Sequence, residues 1–117
     1  MKLSDCVNTL QGLGMASDKK LGVKTGYAVA VNINRLSDVV RPFEQEREKL
    51  IKDLRENHAD KEGNIDQKQA EKAEKKIMEL LDEKVDIKLM KLKLGDIPDD
   101  VDLTPSFFAL CGDLIEE

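Results

Sequence analysis

A chain of 117 residues is one domain, or one domain whose core a partner completes. Charged residues make up 37% of it, with three Phe, one Tyr and no Trp, so large side chains to bury are scarce. A thin core that favours self-association is the expectation. The net charge of −5 is uneven: residues 1–36 carry +3 and residues 95–117 carry −7. That leaves head-to-tail electrostatic contact open and argues against the broad basic surface a duplex-DNA groove binder needs.

Cys6 and Cys111 have no CxxC spacing, so they read as small buried apolar residues in a reducing compartment, without a zinc site or disulfide framework. The start, MKLSDCVNTLQGLG, lacks the apolar segment of a signal peptide, and no apolar run approaches the roughly 20 residues of a membrane span. A soluble intracellular protein is expected, with no membrane partner.

In chain order, Ser4 is placed to cap a short helix lined by Leu3, Val7 and Leu10, with Gly12 and Gly14 as its stop. Gly12-Leu13-Gly14 lacks the strand and the Lys-Ser/Thr of a phosphate loop. A polar connector with Lys19 and Lys20 leads to a long helix from Thr25, its expected N-cap, to about Glu56. Val29, Ile33, Leu36, Val40, Phe43, Arg47, Leu50 and Leu54 follow at steps of four and three, a heptad-type stripe broken only by Arg47. Because the stripe keeps phase across Pro42, one kinked helix is expected rather than two.

Asn57–Asn64 reads as a turn, and Asp66 with Gln69 as a capping box opening a return helix to Lys84. From Val85 the period becomes two. Val85, Ile87 and Leu89 alternate with polar residues, and Met90, Leu92 and Leu94 follow on the opposite phase. That predicts a strand over 85–94 with a bulge or bend, paired with Val101–Leu103 or with another subunit. Thr104-Pro105 opens a last helix with Phe107, Leu110, Cys111 and Leu114 on its apolar face. The fold expected is mainly α, in a single domain over 1–117. An antiparallel helical hairpin spans 25–84, preceded by a short N-terminal helix and followed by a small β element and a C-terminal helix over 85–117.

Chemistry-bearing patterns are sparse. Asp60, Glu62, Asn64, Asp66 and Glu71 fall at calcium-loop spacing, but Ile65 stands where that loop needs Gly, so a charged turn is the better reading. Asp96, Asp99, Asp100 and Asp102 have no fixed ligand geometry. His58, the only histidine, has no nucleophile motif near it. No catalytic, metal or cofactor site follows, and a non-enzyme is expected.

The polar set singled out for ligand binding is Lys20, Lys24, Tyr27 and Asn34, near Asn32 and Arg35. At a helix start, free N–H groups and a lysine favour an anion and the Tyr27 ring can stack. The alternative is a packed Tyr27 among solvated lysines. Leu36, Val40, Phe43, Arg47, Phe107 and Phe108 are the expected interface residues, with Arg47 paired to Glu74, setting register between subunits, or snorkelling outward.

Lys24-Thr25-Gly26-Tyr27-Ala28-Val29-Ala30, Arg41-Pro42-Phe43-Glu44 with Glu46-Arg47, the DKEGN turn, Leu80–Ile87 and Asp102-Leu103-Thr104-Pro105 together span most of the chain after residue 20. On these segments the sequence resembles an uncharacterised family of small proteins from tailed phages and prophages, chiefly of Gram-positive bacteria. The resemblance implies a phage origin and no established activity. The functional expectation is a non-enzymatic, homo-oligomeric phage protein that binds a phage or host protein, in the host cytoplasm or on the virion. The alternative is a sponge that sequesters a small anionic ligand such as a host nucleotide signal.

Overall fold

The computed structural model describes residues 1–116. Four helices, α1 (Leu3–Ala16), α2 (Val23–Asn57), α3 (Gln67–Leu81) and α4 (Pro105–Cys111), accompany two short strands, β1 (Leu92–Lys93) and β2 (Ile115–Glu116). The protein is mainly α, with a small β element.

α2 is one continuous helix. At about 1.5 Å per residue its 35 residues span about 52 Å, nearly the 55 Å long axis of the molecule. Pro42 lies within it on an exposed position, where water can serve the carbonyl that loses its N–H partner. The stripe behaves as its spacing requires. Val29, Leu36, Val40 and Phe43 are buried, Leu50 and Leu54 half-buried, and Arg47 is exposed. α3 returns along α2, opened by Asp66, whose carboxylate accepts the Lys68 N–H at 3.1 Å. Gln69 does not close the expected box, because the Asp66 N–H donates to the His58 carbonyl at 2.7 Å.

Several local boundaries differ from the sequence reading. α1 runs through Gly12 and Gly14 to Ala16, since neither glycine takes the left-handed conformation that stops a helix. Its start is held by Asp5, which accepts the Lys2 N–H at 2.9 Å, and Ser4 lies inside the helix. α2 begins at Val23 after Gly22, whose φ of +86° turns the chain into the helix; Thr25 sits in its first turn and is not the N-cap. α3 ends at Leu81, because Glu83 and Val85 pair instead with the N-terminus: Leu3 N–H donates to the Glu83 carbonyl and Val85 N–H to that of Met1.

The expected strand over 85–94 is mostly extended chain without a ladder. Beyond the Val85 bond to Met1, Leu92 and Lys93 form the strand, in parallel with Ile115 and Glu116 and not with Val101–Leu103. α4 lies between the two strands in sequence and provides the crossover that a parallel pair needs. Upstream, α2 side chains replace the missing strand. Asn32 donates from Nδ2 to the Met90 carbonyl at 2.8 Å and accepts the Met90 N–H on Oδ1 at 2.7 Å. Arg35 donates to the Lys88 carbonyl at 2.9 Å. The phase slips here as well, but after Met90 and not before it, because Met90 faces outward. Val85, Ile87 and Leu89 are half-buried, then Met90 and Leu94 turn outward and Leu92 alone goes in.

The core gathers α1, the first half of α2, Leu92 and α4. α1 crosses α4 at Gly12, where an added Cβ would stand 2.4 Å from Cys111 Sγ and 2.9 Å from Leu110 Cβ. Beyond Phe43 the hairpin thins, and on α3 Ala73 is the buried residue.

Candidate functional site at the start of the long helix

The first intrahelical bond of α2 runs from the Gly26 N–H to the Gly22 carbonyl at 2.9 Å, so the N–H groups of Val23, Lys24 and Thr25 lie ahead of it. Beside this turn runs the Met90–Lys93 segment, positioned by the Asn32 grip. Between them is a shallow groove of about 250 Å³ lined by Lys24, Thr25, Tyr27, Ala28, Met90–Lys93 and Asp96.

Two apolar side chains flank this turn in the open. Val23 is 91% exposed and Tyr27 65%. Tyr27 is therefore not a packed ring, as one sequence reading had it. Lys91 donates to the carbonyl of Asp113, which leaves Lys24 and Lys93 as the lining bases without a hydrogen bond or salt bridge among the described residues. Thr25 is 3% exposed, and among the described residues its hydroxyl has no hydrogen-bond partner. A buried, unsatisfied hydroxyl costs about 1–3 kcal/mol, and with less than 1 Å² of it exposed it faces the interior and not the groove.

Of the residues expected to bind ligand, Lys24 and Tyr27 come together here. Lys20 and Asn34 are exposed but do not line the groove. Asn32, from the neighbouring polar set, is fully buried and structural. Of the expected interface residues, Leu36, Val40, Phe43 and Phe107 are buried within the chain's own core, so no partner surface is formed by them. Their stripe faces α1 and the extended segment as well as α3. Arg47 is exposed and makes no salt bridge to Glu74 among the described residues. Phe108 is 39% exposed, its ring edge-on to that of Phe107 at 5.5 Å.

Sequence reasoning missed Lys91 and Lys93 as neighbours of Lys24. The alternation of Lys91 and Lys93 about Leu92 did signal that these lysines point outward together.

The other charged constellations are structural. Asp60 accepts the N–H groups of Glu62 and Asn64 at 2.9 and 2.8 Å, and Gly63 has φ +86°, which closes the 59–65 turn. Those bonds, the Asn64 N–H first, hold the Asp60 carboxyl below its usual pKa. His58 Nε2 lies 3.4 Å from Asp53 Oδ2 at the end of α2. Cys111 is buried, with Sγ donating to the Thr9 carbonyl at 3.5 Å, and burial pushes its thiol up to about 11. Cys6, fully buried, is raised for the same reason. Neither thiol is placed to act as a nucleophile at neutral pH.

Among the described residues, no cluster of three His, Cys, Asp or Glu side chains could hold a metal, and no helix is long and apolar enough to cross a membrane. No protein family, curated protein or solved structure matches the chain.

Proposed function

We propose that this is a non-catalytic, self-associating binding protein of tailed-phage origin that engages a phage or host protein through the start of α2. The observation that carries the reading is the exposure of Val23 and Tyr27, one turn apart on α2, beside Lys24 and Lys93. An exposed aromatic with an apolar neighbour and a basic rim is the composition of an interface anchor. An acidic partner surface suits that rim. Tyr27→Ala should abolish capture of the partner from infected cells while leaving the circular dichroism and melting of the protein unchanged. Capture by the variant equal to wild type would overturn the reading.

A second reading, a small anionic ligand held at the same place, is favoured by Lys24 and Lys93 beside the open N–H groups of the α2 start. Asp96 on the groove wall opposes a highly charged ligand and favours one whose anionic end meets α2 while its ring lies on Tyr27. A thermal-shift series with mono-, di- and cyclic nucleotides tests it. A stabilisation lost in both Lys24→Ala and Lys93→Ala is the expected result. No shift with any nucleotide and no co-purifying ligand by native mass spectrometry would eliminate this reading.

A further inference from the structure

From Lys84 to Lys93, one edge of the extended chain is paired at both ends and open between them. At one end Lys84 bridges Lys2 in antiparallel fashion, with the Val85 N–H donating to the Met1 carbonyl at 2.7 Å. At the other, Leu92 lies in register with Ile115 of β2. Leu114, which leads into β2, lines the same groove of about 390 Å³ as Met1, Ile87 and Leu89, so both flanking pieces stand on one edge. The stretch between them, residues 86–91, spans about 20 Å at about 3.3 Å per residue.

Backbone groups of successive residues in an extended chain point to opposite edges. Arg35 and Asn32 of α2 take the Lys88 carbonyl and both groups of Met90, while Val85 points the other way, to Met1. By that alternation the N–H and C=O groups of Ile87 and Leu89 face the groove, and among the described residues they have no hydrogen-bond partner.

We infer that this gap is a strand-addition site, filled by a short extended segment of a partner protein that pairs with Ile87 and Leu89. What the ladder lacks is backbone donors and acceptors, and another extended backbone supplies them. Met1, Ile87, Leu89 and Leu114 along the groove select apolar side chains at alternate positions of that segment. The Asn32 and Arg35 bonds already hold the edge extended, which lowers the ordering cost of docking. A second copy of this chain fits poorly. Pairing Ile87 with Leu89 of another copy sets Lys88 against Lys88 on the two-fold axis and brings Lys91 of that copy to the place that Met1 holds opposite Val85. The edge lies across the extended segment from the α2-start groove, so it stands or falls apart from that surface.

The test combines hydrogen exchange with peptide selection on the full chain. In the free protein the Ile87 and Leu89 amides should exchange at least about tenfold faster than that of Met90, which is bonded to Asn32. Equal protection at all these amides would show the edge already satisfied and overturn the site. Affinity selection from a random library of short peptides should enrich sequences with apolar residues at every other position. The synthetic form of an enriched peptide should slow exchange at Ile87 and Leu89 at least about tenfold, in Tyr27→Ala as in wild type. Ile87→Pro removes the edge N–H at a φ that an edge strand accepts, and should weaken binding at least about fivefold, whereas Ile87→Val should bind as wild type. Should Ile87→Pro fail to fold, N-methylation of the peptide decides. Alternate nitrogens face the edge, so methyl groups in one phase should abolish binding and in the other leave it unchanged. No enriched peptide, an enriched peptide that leaves both amides unchanged, or equal tolerance of both methylation phases would overturn the inference. Protection of the same amides that rises with protein concentration alone would give the edge to a second copy and rule out the foreign segment.

Discussion

Asn32 is the residue on which the extended segment depends. It is fully buried, and its amide uses one donor and one acceptor on the backbone of Met90, as a neighbouring strand would. Replacing it with Leu leaves both Met90 groups unpaired. A loss of about 2–4 kcal/mol is expected in urea denaturation, at roughly 1–3 kcal/mol for a stranded polar group plus the lost bonds. Asn32→Asp should cost at least as much, since it sets a carboxylate oxygen against the Met90 carbonyl. A loss below about 0.5 kcal/mol for Asn32→Leu would show that the segment is held some other way.

Cys111 gives a second prediction at this scale. Its thiol is pushed up to about 11 in the fold, against an ordinary value of 9.0. The neutral thiol is the form the fold favours, so this contribution is whole below pH 9 and is lost as pH rises towards 11. The unfolded chain ionises first and is stabilised first. A two-unit separation corresponds to at most about 3 kcal/mol. Stability measured from pH 8 to 11 should therefore fall more steeply for wild type than for Cys111→Ala. Parallel profiles would contradict the assignment.

Among the elements, α1 and α4 approach closely where they cross. Gly12 is required there by space, since its φ is ordinary and its missing Cβ is what admits Cys111 and Leu110. Gly12→Ala should destabilise by about 1–3 kcal/mol through overpacking. Gly14→Ala, on the same helix but with nothing within 4 Å, should be neutral or stabilising by up to about 1 kcal/mol. Thermal melts of the pair separate a packing glycine from a helix stop. Equal effects would mean that the crossing has room to adjust. The same crossing carries reciprocal polar contacts, with Cys111 donating to Thr9 and Thr9 Oγ1 donating to the Leu110 carbonyl at 3.5 Å.

At the scale of the whole molecule, the shape is long because α2 outruns its partners. The radius of gyration is 17.8 Å, where a compact chain of this length would have about 13 Å. The apolar core ends near Phe43, and what continues is a two-helix arm with Ala73 as its buried residue on α3. Local stability should follow. By hydrogen exchange, amides of α2 before Phe43 should be protected to nearly the global unfolding free energy, and those after Leu50 and in α3 should exchange at least about tenfold faster. Uniform protection along α2 would contradict this division.

The sequence by itself determined the helices, the hairpin turn, the phase of the α2 stripe and the cap of α4, where Thr104 accepts the Phe107 N–H ahead of Pro105. Those are set by residues within a turn or two of one another, through helical period, turn chemistry and proline placement. It also brought attention to Lys24 and Tyr27, but it set Met90 and Leu94 on the inward phase, where the structure has them exposed. What covers the first half of the stripe was decided only by tertiary structure, and so were the parallel pairing of Leu92 and Ile115, the close approach at Gly12 and the company Lys24 keeps. Each depends on residues between about 20 and 100 positions apart. An apolar stripe records that it must be buried but not by what, and a buried Asn records a hydrogen-bonding need but not its partner. Leu36, Val40, Phe43 and Phe107 looked like an interface for that reason.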